Sequence, residues 1–295
     1  LHSMQMRFGL IVFCAAVIVA CNNSTTNHEV VNNKQDVNEK VAQHLKELLS
    51  DEKSLTQQFF QQQKFTPAFS DSGLLNSNGK SLLAYIDSCS SYGLIPSDYF
   101  QNEIHTADSL IRKNYLTGVD VETVAQMEIK LCNAFFLLAK QIKYGHTVSQ
   151  HFGINLPARP TDDNELISHL TDALKQNSIS AFLNSRQPKS EQYIQLKNVL
   201  NAYTKKYSNI TWDTLPSKDS IQPQLFWQAL QQRLLKENWI DSSIVANDTN
   251  TLKAGVKKFQ KQYNLFPDGV PGNRTRNALN KTPRYRIQQM CMNIE

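Results

Sequence analysis

Residues 252–279 read LKAGVKKFQKQYNLFPDGVPGNRTRNAL, and their order predicts a helix, a tight turn and a second helix. Val256, Phe259 and Tyr263 recur at helical spacing and give the first helix one apolar face. The Asp-Gly pair at 268–269 supplies a residue that tolerates positive φ, and the Gly-Asn pair at 272–273 stands where the next helix needs a cap. The segment therefore predicts a compact helical hairpin.

Another helix is predicted just upstream, at residues 225–239, which read LFWQALQQRLLKENW. Phe226, Leu230 and Leu234 share one face of this helix, as expected of an amphipathic segment that packs on its neighbours. Together with the hairpin it predicts a small three-helix bundle over residues 221–281.

This bundle resembles the small peptidoglycan-binding domain found at the ends of many bacterial wall enzymes. The pattern of that family is a Phe-Gln helix, then Asp-Gly, a short gap, Gly and Thr. The matching residues here are Phe259-Gln260, Asp268-Gly269, Gly272 and Thr275. The resemblance implies that the partner is peptidoglycan, through its glycan strand or its stem peptides. The alternative is a helical hairpin that only packs against the rest of the protein, because a fold alone does not carry a binding function.

Five residues are candidate ligand contacts of this bundle. Arg274 can offer a bidentate fork to a carboxylate of a stem peptide. Trp239 and Tyr263 can supply flat faces for a sugar or a stem peptide, and Asn273 and Thr275 can supply hydrogen bonds. In the alternative interpretation Tyr263 belongs to the core, Trp239 closes the hydrophobic cluster and Asn273 only caps its helix.

The amino-terminal segment has the pattern of an export signal. Arg7 precedes an apolar run at residues 8–20, which is too short for a comfortable membrane span and ends at Cys21. Residues 18–21, IVAC, resemble a lipobox, in which the cysteine is acylated on sulfur. The resemblance implies a lipoprotein signal peptide at residues 1–21 and a periplasmic protein anchored to an envelope membrane through Cys21. A plain signal peptide or an uncleaved anchor remains the alternative.

Composition separates a flexible segment from the body of the chain. Residues 22–37 are rich in Asn, Thr and Ser and have too few large apolar residues for a core, so they predict a tether. The whole chain of 295 residues is 40% hydrophobic, which permits an ordinary buried core. Its formal net charge is +5, but the basic residues are dispersed among acids, so we expect no nucleic-acid partner.

The body, residues 38–216, shows apolar residues at helical spacing. It has almost no sustained alternation of apolar and polar residues, the pattern typical of strands. The sequence therefore predicts an all-α protein, in which a helical scaffold domain precedes the three-helix bundle. The helices predicted from this periodicity span residues 37–49, 82–92, 121–144, 164–176, 178–183 and 190–207.

Four segments of the body resemble the scaffold region of large, multidomain bacterial L,D-transpeptidases. They are FTPAFSDSGLL at 65–75, YGLIPSDY at 92–99, LLAKQIKYGHT at 137–147 and SRQPKSEQYIQLKNVLNAY at 185–203. In that family a peptidoglycan-binding unit comes next, then a segment like PRYRIQQMCMNIE, here residues 283–295, and then the catalytic domain. The resemblance covers the chain from about residue 55 onward and implies a role in cell-wall cross-linking.

The family's catalytic cysteine, which lies in a Ser/Thr-His-Gly-Cys setting, has no counterpart here. Cys89, Cys132 and Cys291 do not follow a His-Gly pair, so no catalytic residue is assigned. Residues 282–295 are expected to begin a truncated connection to a missing catalytic domain. Neither a disulfide between Cys89 and Cys132 nor two buried free thiols is excluded by the sequence.

No metal or cofactor is expected, since His146 and His151 have no carboxylate or histidine partners at suitable spacing.

Two functions of different classes follow from the sequence. The first is a non-catalytic, peptidoglycan-binding scaffold portion of an L,D-transpeptidase. The second is a helical envelope lipoprotein that contacts another protein and does not bind the wall. A third interpretation, an intact enzyme of unfamiliar type, predicts turnover of wall fragments by this chain alone.

Overall fold

The computed structural model describes residues 30–31, 34–145, 162–218, 221–241 and 248–294. These residues are 69% helical, with twelve α-helices, so the prediction of an all-α protein is confirmed. Their strands are two residues long and form two antiparallel pairs: Val30–Val31 (β1) with Val119–Asp120 (β4), and Ser70–Asp71 (β2) with Leu74–Leu75 (β3). None of the helices in the described ranges has the length and apolar character to span a membrane.

A first unit of the protein is built around one long helix, α5, at Val121–Tyr144. Its start is capped by Asp120, whose carboxylate accepts the Thr123 N–H at 3.2 Å, and its end lies at Gly145 with φ of +83°. Buried side chains on several faces of α5 place it at the centre of the core. The other helices of this unit are α1 Lys34–Leu48, α2 Leu55–Gln62, α3 Ser77–Ser88, α4 Gln101–Asn114, α6 Asp163–Lys175 and α7 Ile179–Ser185.

A second unit has its own core and consists of three helices, α9 Pro223–Lys236, α10 Thr249–Gln262 and α11 Asn273–Leu279. Phe226, Leu230 and Leu234 of α9 are fully buried against Val256 and Phe259 of α10. The apolar periodicity of both segments thus corresponds to the observed core faces.

Two further helices connect the cores, α8 at Glu191–Tyr207 and α12 at Pro283–Ile294, and they pack against each other. Arg286, near the start of α12, is buried against the second unit. Ile294, at the end of α12, lies against Gly93 of the first unit, where φ is +86° and a Cβ would overlap the isoleucine side chain. One helix therefore contacts both units.

Most helix bounds differ little from those predicted, but two helices of the first unit, α2 and α4, were not predicted. The helix α4 buries Ile104 and Ile111, seven positions apart, so its apolar stripe is too narrow to detect by periodicity. The helix α2 is short, and its glutamines obscure the apolar pattern, although Ser54 caps it by accepting the Gln57 N–H at 3.1 Å. The predicted helix at 82–92 is α3 followed by a 3₁₀ turn at Cys89–Tyr92, and a second such turn lies at Pro96–Tyr99. The helix α1 begins at Lys34, inside the predicted tether.

A buried glutamate joins the central helix to the aromatic segment at residues 65–75. Glu128 of α5 is fully buried and accepts the N–H of Ala68 at 2.8 Å and that of Phe69 at 3.0 Å. Burial raises the pKa of Glu128, while these backbone donors act in the opposite direction. The carboxylate thus supplies acceptors to buried backbone groups that no strand or helix satisfies.

Replacing this carboxylate should destabilise the first unit. In Glu128→Ala two buried N–H groups lose their acceptor, so we expect a loss of about 3 kcal/mol in the free energy of unfolding. Urea denaturation followed by far-ultraviolet circular dichroism measures the loss. The matched control is Gln126→Ala, which changes an exposed side chain of the same helix. Equal losses in the two variants would contradict the role given to Glu128.

Candidate functional site

The amide of Gln260 organises the turn between α10 and α11. This side chain is 2% exposed, and the two N–H groups of its Nε2 are shared among three acceptors: Asp268 Oδ1 at 2.8 Å, the carbonyl of Val270 at 3.1 Å and Thr275 Oγ1 at 3.0 Å. The N–H of Gly269 donates to Gln260 Oε1 at 2.8 Å. One buried amide therefore connects three parts of the bundle: the end of α10, the turn and the start of α11.

The turn requires glycine and an ionised aspartate. Gly269 has φ of +78°, and a Cβ there would lie 3.0 Å from the carbonyl oxygen of Lys253. The N–H of Val270 donates to Asp268 Oδ1 at 2.8 Å. That bond, and to a lesser extent the hydrogen bond from the Gln260 amide, lowers the pKa of Asp268. The carboxylate therefore stays charged at neutral pH.

Four exposed side chains flank this turn, two apolar, one basic and one amide, and we call them the turn face: Phe266, Val270, Arg274 and Asn273. Phe266 is 82% exposed and Val270 is 56% exposed, so both present apolar surface to solvent. Asn273 and Arg274 are also exposed, at the first positions of α11. Within the described part of the chain, Arg274 has no ion-pair or hydrogen-bond partner, so its guanidinium is available to a ligand.

Two of the predicted contacts lie elsewhere, in an aromatic cluster. Trp239 packs edge-on against Phe259 and Tyr263, with ring centroids 5.5 and 6.2 Å apart, and its Nε1 donates to Glu237 Oε2 at 3.0 Å. The hydroxyl of Tyr263 contacts Arg286 Nη1, and the guanidinium carbon of Arg286 lies 4.2 Å from the tyrosine ring centroid. Both rings are half-buried and already have polar partners.

The five predicted contacts therefore divide into separate sets. Arg274 and Asn273 lie together at the turn face, whereas Thr275 is buried and hydrogen-bonded to Gln260. Trp239 and Tyr263 lie together, and no ring contact joins Arg274 to either of them in the described residues. The role of each as a ligand contact stays a prediction.

Phe266 and Val270 are residues of the turn face that the sequence reasoning missed. The available signal was an apolar residue on each side of the Pro-Asp-Gly turn, at 267–269, where apolar residues have no core to enter. The helical periodicity of the flanking segments does not extend into this turn, so it gave no indication of exposure.

Other reactive groups are remote from this face or lie outside the described residues. Cys89 and Cys132 are buried and free, and burial raises the pKa of Cys89 to about 12 and that of Cys132 well above its ordinary value. Both thiols therefore stay protonated at neutral pH. The described ranges contain no group of three or more His, Cys, Asp or Glu side chains that could hold a metal. Cys21, His146 and His151 lie outside the described residues.

Comparison with family models gives two matches, one that covers most of the first unit and one that lies in the second. Residues 54–200 match a family described as a scaffold domain, and residues 225–279 match one described as a putative peptidoglycan binding domain. The second match begins in α9 and ends with α11, so it contains the whole turn face. The chain has no match among curated proteins. The presence of a peptidoglycan-binding domain supports peptidoglycan as a partner.

Replacing the amide at position 260 by a carboxylate should loosen the turn, although the side chain keeps its size. In Gln260→Glu the donors to Asp268 and Val270 are lost and a second carboxylate faces Asp268, so we expect local opening to become about tenfold more frequent or more. Hydrogen exchange of the amides at 266–275 measures this.

The matched control is Gln262→Glu, an exposed position of the same helix, which should leave exchange in that segment unchanged. If the two variants exchange alike, the Gln260 amide does not hold the turn.

Proposed function

We propose that this chain is the peptidoglycan-binding, non-catalytic scaffold portion of an L,D-transpeptidase involved in cell-wall cross-linking. In this proposal residues 38–216 are the scaffold domain and residues 221–281 bind the wall. The observation that carries it is the peptidoglycan-binding match over residues 225–279, which encloses an exposed aromatic and basic face. The order of the two family matches along the chain supports the transpeptidase assignment.

The turn face suits a ligand that combines sugar rings with short anionic peptides. The exposed ring of Phe266 offers a flat apolar surface to a sugar or an alkyl group. Arg274, free of any counter-ion among the described residues, offers a fork to a carboxylate, and Asn273 offers an adaptable amide. Such an open site binds weakly, since its contacts remain largely hydrated.

Anchorage completes the proposal. We place the protein in the periplasm, attached to an envelope membrane by a lipid on Cys21. Attachment beside the wall keeps the local concentration of ligand high, which offsets the weak affinity of a single shallow site. The raised pKa values of the buried Cys89 and Cys132 thiols fit a non-catalytic role for the described part of the chain.

Binding is tested by sedimenting isolated sacculi with the purified chain. We expect the protein to pellet with the wall at low ionic strength and Arg274→Ala to weaken the apparent affinity about threefold to fivefold, as for one solvated ion pair. The control is Arg284→Ala, which removes the same charge from an exposed position of α12. No enrichment in the pellet would reject wall binding and favour the alternative, an envelope lipoprotein that contacts another protein.

A further inference from the structure

A cavity with a mixed polar and apolar lining lies between the segment that follows α8 and the helix α9, and no residue of the turn face lines it. Its volume is about 170 Å³, several times what one water molecule needs. We call it the Trp212 pocket. Its lining residues are Trp212, Asp213, Thr214, Leu215, Ala229, Gln232, Arg233 and Lys236.

Arg233 lines this pocket and carries an unsatisfied donor. The side chain is 3% exposed, and its Nε and Nη2 donate to the carbonyl of Leu279 at 3.0 and 2.8 Å, while Nη2 also pairs with Glu237 Oε2 at 3.0 Å. Nη1 is buried and has no hydrogen-bond acceptor in the described part of the chain. A buried guanidinium donor left without an acceptor is costly, so an acceptor in the pocket would stabilise it.

Trp212 brings a second unsatisfied donor. Its ring lies 3.6 Å from the guanidinium carbon of Arg233, the residue is 8% exposed, and its Nε1 is buried without an acceptor in the ranges that the structure describes. Two buried N–H donors thus belong to stacked side chains that both line one cavity. Neighbouring donors of this kind match the two oxygens of a carboxylate.

The charge around the pocket is also unbalanced. Arg233 and Arg286 both pair with Glu237, at 3.0 and 2.8 Å, and no other acid of the described residues pairs with either guanidinium. Burial lowers the pKa of Arg233 to about 10, so it remains charged at neutral pH. The cluster therefore carries one more positive charge than negative. Lys236 adds a charge at the rim, and Asp213, which is exposed there, is screened by solvent.

We propose that the Trp212 pocket binds a carboxylate, which accepts hydrogen bonds from Arg233 Nη1 and Trp212 Nε1. Leu215 and Ala229 give the pocket an apolar wall, so a small alkyl group next to the carboxylate fits. A free peptide carboxyl terminus that ends in a small residue has this chemistry, as does a free short-chain carboxylate. The site is distinct from the turn face, and only its assignment to wall stem peptides rests on the proposed function.

The chain has three tryptophans, at 212, 227 and 239, and their indole N–H resonances report on the pocket directly. Each indole resonance is assigned by replacing one tryptophan at a time with phenylalanine. N-acetylalanine, added to the full chain at neutral pH and constant ionic strength, should shift the Trp212 resonance saturably and leave that of Trp227 unchanged. N-acetylalanine amide and sodium chloride should have no effect. An unchanged Trp212 resonance, or an equal response to the amide, would overturn the proposal and leave a cavity that holds water only.

Trp212→Phe removes one donor and keeps the aromatic ring on Arg233. The shift of the Leu215 backbone amide resonance measures binding to this variant. Its affinity for N-acetylalanine should be about tenfold lower than that of the unmodified chain. Trp227→Phe is the matched control, with unchanged affinity. Unweakened binding by Trp212→Phe would contradict the assignment of Nε1.

Acetate and a muropeptide with a free carboxyl terminus distinguish the two sources of the ligand. Tighter binding of the muropeptide indicates the wall, and equal binding indicates a small free carboxylate. Because the sacculus assay reads the turn face through Arg274→Ala, failure of wall binding and failure of this pocket are separable.

Discussion

The arrangement of the second unit depends on the ion pairs and the hydrogen bond made by the carboxylate of Glu237. Glu237 follows the end of α9 and pairs with Arg233 of that helix at 3.0 Å and with Arg286 of α12 at 2.8 Å, and it accepts the Trp239 indole N–H at 3.0 Å. Each arginine also donates to a main-chain carbonyl near the end of α11. A buried charge without such partners would be strongly unfavourable, so the cluster specifies where α9, α11 and α12 meet. Since α12 also contacts Gly93 of the first unit, the same cluster connects the two cores.

The aromatic side chains of the second unit and the turn between α10 and α11 have different roles. Tyr263 and Trp239 surround Arg286 and Glu237, so their rings shield the buried charges from water. The turn is held separately by Gln260 and leaves Phe266 and Arg274 exposed. The proposed wall-binding role therefore belongs to the turn face, whereas the aromatic cluster supports the fold. The Trp212 pocket lies beside the same charge cluster, since Arg233 lines the pocket and also pairs with Glu237.

Helices with a broad apolar face are predictable from the sequence, whereas contacts between residues far apart in the chain are not. The bounds of α5 were predicted because its buried positions occupy several faces and Gly145 ends it. The narrow stripe of α4 gave no such signal. At the site, the motif located Gln260 and Thr275 but not their mutual hydrogen bond, and nothing local to Arg233 indicates that Leu279, 46 residues away, accepts its donors. Exposure of Phe266 likewise follows from the closure of the turn, which only the three-dimensional arrangement defines.

The central claim is that the turn face touches peptidoglycan. A photoreactive phenylalanine analogue at position 266 tests it directly, because this nearly isosteric change leaves Gln260 and Arg274 intact. After irradiation with isolated sacculi, we expect a covalent adduct of the full chain with the wall at position 266. The same analogue at position 285, an exposed tyrosine of α12, should give little adduct. Equal labelling at both positions, or labelling at 285 alone, would contradict the account.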